Sequence, residues 1–97
     1  MEPQDLTNNK LLIKVPNYIF SEKIGDEFFI LNSHDGEYYE LSDSSSYIWE
    51  IIQKKETQLV DLISRLEEVF TISKERKIEI LDFLGELEDC SLIILEK

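Results

Sequence analysis

The apolar pattern of this chain changes period once, at Leu41-Ser42, and that change orders its elements. Before it, three short segments rich in aromatic and branched residues run from Asn17 to Lys23, Glu27 to Asn32 and Glu37 to Leu41. They are separated by Gly25-Asp26 and by Ser33-His34-Asp35-Gly36. Glycine and aspartate at such separators are tight-turn chemistry, so the segments read as strands of one antiparallel meander. After the change, Ser42-Asp43-Ser44 offers capping side chains and the apolar residues recur at helical spacing.

Tyr47, Ile48, Ile51 and Ile52 form the first helical stripe, with Trp49 beside it. Leu59, Leu62, Ile63, Leu66, Val69 and Phe70 form a second, predicting a helix from Gln58 to Phe70. Ser73 opens a third helix that closes near Asp89, and Leu92-Ile93-Ile94-Leu95 is a closing strand or an extended tail. Residues 1–12 are polar until their end and are expected to be a mobile lead-in, leaving a single domain over 13–97. The expected fold class is α+β and winged-helix-like: a three-stranded antiparallel meander followed by three helices and a short C-terminal extended segment.

Charge narrows the partners. The chain carries 21 acidic against 10 basic residues, a net charge of -11, which repels a phosphate backbone and an anionic membrane. Lys74, Arg76 and Lys77 do not form a basic patch because Glu75 and Glu79 alternate with them. Neither Phe28 to Leu31 nor Leu92 to Leu95 approaches the roughly 20 apolar residues that span a bilayer. No secretory signal is visible and Cys90 has no cysteine partner in the chain, so the expected location is the cytoplasm.

Composition also excludes most catalysis. His34 is the only histidine, in a turn, and Cys90 the only cysteine, among Glu88 and Asp89, which would raise rather than lower its pKa. One of each is too few for a zinc site. Asp26-Glu27, Asp35-Gly36-Glu37 and Glu88-Asp89 lack the spacing of a calcium loop. Gly25, Gly36 and Gly85 are too far apart for a phosphate-binding loop. A non-catalytic protein without cofactor or metal is therefore expected.

Binding remains. In the third strand, alternation places Glu37, Tyr39 and Leu41 on one face and Tyr38 and Glu40 on the other. An edge strand here would expose unpaired backbone groups able to accept an added peptide strand. On the third helix, Ile80, Phe83, Leu84 and Leu87 share an arc of about 100° and form the core stripe. Ile78 and Leu81 fall outside it, with Gly85 between them in angle, and this second strip is expected to wall a groove.

The run Asp35-Gly36-Glu37-Tyr38-Tyr39-Glu40-Leu41-Ser42, then Ile48-Trp49, the helix-two leucines, Phe70-Thr71-Ile72, Glu79-Ile80, Phe83-Leu84, Leu87 and Leu92-Ile93 resembles the PqqD-like proteins. These are the peptide-recognition elements of pathways that modify ribosomally made peptides. The resemblance covers about residues 15–95 and is greatest for the stand-alone versions of lasso-peptide clusters, through Tyr38-Tyr39, Leu41-Ser42 and Ile48-Trp49. Two positions depart from the pattern: Lys54-Lys55-Glu56 stands where the family often has an Asp-Gly turn, and Ser91 where it often has glycine.

The resemblance implies that a precursor's leader segment binds as an extra strand between the third strand and the third helix. It also implies presentation of that precursor to a leader peptidase and a cyclase, or, in other pathways, to a radical enzyme. Residues 37–41 would supply the ladder, Ile78, Leu81 and the gap at Gly85 would hold apolar anchors, and Tyr38 or Tyr39 would flank them. Glu37, Glu40 and Asp82 would steer a basic segment. Two rivals share the architecture, a DNA-binding winged helix and a dimerisation module using Trp49, and the acids of helix three (Glu79, Asp82, Glu86, Glu88, Asp89) argue against the first.

Overall fold

The computed structural model describes residues 11–96. Its meander is built around β3 (Glu27–Asn32), whose alternate residues Phe28, Ile30 and Asn32 are buried. Strands β2 (Ile19–Ile24) and β4 (Glu37–Leu41) flank it, both antiparallel. The register sets Ile19 opposite Asn32, and Phe28 opposite Leu41. Both turns rest on glycine at positive φ, +63° at Gly25 and +77° at Gly36, a conformation that costs a side-chain-bearing residue energy. Asn32 is buried at the second turn because it holds it closed. Its Oδ1 accepts the His34 N–H at 2.9 Å and its carbonyl accepts the Gly36 N–H at 2.8 Å.

A second antiparallel sheet was absent from the expected fold. It comprises β1 (Leu12–Lys14), β5 (Thr57–Gln58) and β6 (Ile94–Glu96), in the order β5-β1-β6. Its strands have 3, 2 and 3 residues, too few to show an alternation in sequence. Of the stretch expected to be a lead-in, residues 1–10 lie outside the described residues. Leu12 opens β1, and the Leu11 carbonyl accepts the Leu59 N–H at 2.8 Å, so the ordered domain begins earlier than position 13. Ile13 is fully buried between the flanking strands. Lys14 reaches Glu96 at 3.0 Å and Glu56 at 3.9 Å, one on each neighbouring segment. Its hydrogen bond to Glu96 holds the ammonium above the usual lysine pKa.

The helices are α1 (Asp43–Lys54), α2 (Leu59–Glu67) and α3 (Lys74–Asp89). On α1 the buried face is Ile48, Trp49 and Ile52 with Ser46, rotated from the expected stripe. Trp49 is a core residue, and Tyr47 is exposed, its ring edge-on to Phe70 at 5.3 Å. On α2, Leu59, Leu62 and Leu66 are buried, but the helix stops at Glu67 and leaves Val69 and Phe70 exposed. The Val69 and Phe70 N–H groups both donate to the Leu66 carbonyl, so the chain turns off the helix there. No glycine is needed after α1, because Lys55 is extended (φ -167°) and leads directly into β5.

The end of α3 explains the second departure from the family pattern. The Ser91 N–H donates to the Glu88 carbonyl at 2.9 Å and the Leu92 N–H to the Leu87 carbonyl at 3.0 Å, the two bonds of a Schellman cap. Leu87 and Leu92 are both in the core, as that motif favours. The cap forces Ser91 to φ +63°, where glycine is unstrained. Replacement Ser91→Gly is expected to stabilise the domain by about 0.5–1 kcal/mol, the αL penalty less the added entropy of an unfolded glycine. Thermal unfolding should show a rise of roughly 2–8 °C. An unchanged or lower midpoint would mean that the serine side chain makes a compensating bond.

Candidate functional site

Among the described residues β4 pairs with β3 on one side only, so its other edge carries backbone N–H and C=O groups with no described strand opposite. Along this edge Tyr39 and Leu41 point inward and are half-buried against the core, while Glu37, Tyr38 and Glu40 are exposed, Tyr38 to 73%. Tyr39 is also the point at which α3 meets the strand. Burial, and next the Cys90 thiol beside its hydroxyl, push the Tyr39 phenol above its ordinary pKa.

Beyond Leu41 the strand runs into a cavity of about 670 Å³. Its walls are the start of α1 (Asp43, Ser44, Ser45, Ile48), the segment after α2 (Phe70, Thr71, Ile72) and the first half of α3 (Arg76, Glu79, Ile80, Phe83). Cys90 stands beside Tyr39 of β4, while Phe83 lines the cavity together with Asp43. Arg76, Phe83 and Cys90 are spaced by seven, so they drift only about 20° per step and lie on one stripe of the helix. That stripe lines the cavity through Arg76 and Phe83 and reaches the inward-pointing Tyr39 of β4 through Cys90. The cavity floor is apolar and its mouth charged, with Arg76 Nη1 on Glu79 Oε1 at 3.3 Å and Asp43 opposite.

The helix residues expected to hold the peptide, Ile78, Leu81, Asp82 and Gly85, do not line this cavity. Leu81 lines a smaller cavity of about 220 Å³ against α2, with Leu59, Val60 and Ile63. Ile78 is 43% exposed and Asp82 is exposed, about 140° and 100° round the helix from Phe83. At Gly85 an added Cβ would meet nothing within 4 Å, so the space beside it is open. Ile78 and Leu81 were read correctly as lying off the core stripe, but one turns to solvent and the other to α2. Phe83 was assigned wholly to the core. Phe83 also lines the larger cavity with Arg76, and their seven-residue spacing is a signal that the apolar arc does not use.

His34 is stacked on Tyr18, ring centroids 3.6 Å apart, and Cys90 neighbours Tyr39, so neither thiol nor imidazole is placed as a member of a nucleophile and base pair. Among the described residues no three His, Cys, Asp or Glu side chains are grouped to hold a metal ion, and no helix is long and apolar enough to cross a membrane. An open strand edge beside an apolar cavity with a charged mouth suits an extended peptide.

The family described as Coenzyme PQQ synthesis protein D (PqqD) matches residues 27–93. No curated protein matches the chain. A solved structure described as TbiB1 in complex with the TbiA(beta) leader peptide is similar with a TM-score of 0.76 and 21% identity. The likeness covers 82% of this chain and 93% of that one, and at such identity it is a likeness of fold.

Proposed function

The chain belongs to the PqqD family, and from that premise we propose that it binds the leader segment of a ribosomally made precursor peptide and presents it to processing enzymes. The observation that supports this reading is the edge of β4 that no described strand covers, with the cavity lined by Asp43, Ile80 and Phe83 beyond its end. A peptide added there gains backbone hydrogen bonds from residues 37–41 irrespective of its sequence. The cavity at the end of the strand then selects for an apolar side chain. Asp43 and Glu79 at the rim, and the exposed Glu37 and Glu40 along the strand, favour a leader with basic residues, chiefly by raising the association rate.

The chemistry is left to partners. A leader peptidase and a cyclase of the lasso type are the enzymes we propose, on the resemblance of Tyr38-Tyr39, Leu41-Ser42 and Ile48-Trp49 to the stand-alone lasso elements. A cytoplasmic location fits this role.

Calorimetric titration with the synthetic leader, joined to backbone amide exchange, tests the reading. Saturable one-to-one binding is expected, with new protection along Glu37–Leu41. Protection along the opposite edge, β2, or an absence of binding to any leader of the pathway, would overturn it.

A further inference from the structure

The meander has a second face. Inward-pointing residues of β2, β3 and β4 meet the helices, and the outward-pointing ones form cross-strand rows. The register aligns Phe20, Leu31 and Tyr38 in one row and Glu22, Phe29 and Glu40 in the next. Ile24 and Glu27 begin a third. Phe20 is 58% exposed, Ile24 56% and Tyr38 73%, so this is a continuous apolar strip open to solvent. Single exposed apolar residues are ordinary on a protein surface, but three that adjoin half-buried Phe29 and Leu31 across three strands are not. Among the described residues, the acids beside them, Glu22, Glu27 and Glu40, form no salt bridge. Lys23, the nearest base of the meander, points inward and pairs with Glu50 of α1 at 3.2 Å.

We propose that this outer face is a docking surface for a processing enzyme that presents an apolar centre ringed by arginine or lysine. Charge decides among the possible occupants. A second copy of the chain would bring Glu22, Glu27 and Glu40 against acids of the same face, and like charges across an interface are costly. A basic-rimmed protein surface instead covers Phe20, Leu31 and Tyr38 and neutralises the three carboxylates. Glu27 and Glu40 already lie close enough for a hydrogen bond between them, and that contact with Glu40 pushes the Glu27 carboxyl above its usual pKa. A cation delivered there would relieve this repulsion. The face also adjoins the free edge of β4, so an enzyme seated on it would sit beside a leader bound at that edge. In naming a processing enzyme, the proposal rests on the function proposed above.

The test uses the full chain, the pathway's purified peptidase and cyclase, and the synthetic leader. Phe20→Ser and Glu22→Lys both lie on β2, away from the leader edge, and both residues are exposed. Each should weaken binding to one of the enzymes by about tenfold, the loss expected for an anchor or a paired charge in an interface. Leader affinity should stay within about twofold, as expected for surface changes remote from that edge. Unchanged enzyme affinity in both variants, or no enzyme binding by the natural chain, overturns the proposal. So does sedimentation of the free chain as a dimer that Phe20→Ser dissociates, because a second copy would then be the occupant. Failure of the leader reading is seen separately, as absent leader binding in the natural chain.

Discussion

Replacing Phe83 with glutamate is expected to weaken leader binding by about tenfold to a hundredfold, the range of an anchor residue in an interface. Phe83 is half-buried and stands with Ile80 in the wall of the cavity at the end of β4. A bound peptide would cover it, so a carboxylate at this position would be desolvated without a partner. Glu79 is already in the same wall and adds to the cost. Because Phe83 also packs against the core, circular dichroism and the urea midpoint of the variant must accompany the titration. Phe83→Leu keeps the apolar wall and should retain most of the affinity.

The decisive comparison is Ile78→Glu. Ile78 is exposed on the far side of α3, and its replacement should change affinity by no more than about twofold, as expected of a surface residue remote from the site. If Ile78→Glu abolishes binding and Phe83→Glu does not, the leader sits on the outer face of the helix. The arithmetic of the apolar residues alone assigns Ile78 as an anchor of the leader.

That contrast shows where sequence reasoning reaches its limit. The bounds of β3 and β4 were legible because Gly25 and Gly36 occupy backbone positions that few other residues take and the strands between them alternate. The edge position of β4 followed from chain order. The helix starts were legible at Ser73, whose Oγ accepts the Arg76 N–H at 3.1 Å. The second sheet was illegible because β1, β5 and β6 are too short to carry a period and meet only through tertiary packing. The direction of each apolar face of α3 was illegible for a related reason. A helical wheel gives the angle between Ile78, Leu81 and Phe83, but only the placement of α2 and β4 says which of them faces a groove.

Trp49 carries the largest stability effect. The side chain is fully buried within α1, and Trp49→Ala would leave a large cavity that rigid neighbours cannot fill. The expected loss is about 3–5 kcal/mol, comparable with the whole stability of many domains of this size. The thermal midpoint should fall by on the order of 15–30 °C, or the chain should not fold at all. Trp49→Phe is more informative because two effects oppose. It leaves a smaller void, which destabilises, but it also removes the indole Nε1–H, which is buried with no hydrogen-bond partner among the described residues. An unsatisfied buried donor costs about 1–3 kcal/mol, so its removal should offset much of the void. Urea unfolding should therefore place Trp49→Phe within about 2 kcal/mol of the natural chain, far above Trp49→Ala. A phenylalanine variant as damaged as the alanine one would mean that the indole N–H does have a partner in solution. It would also mean that this bond, as well as packing, fixes α1 against the meander.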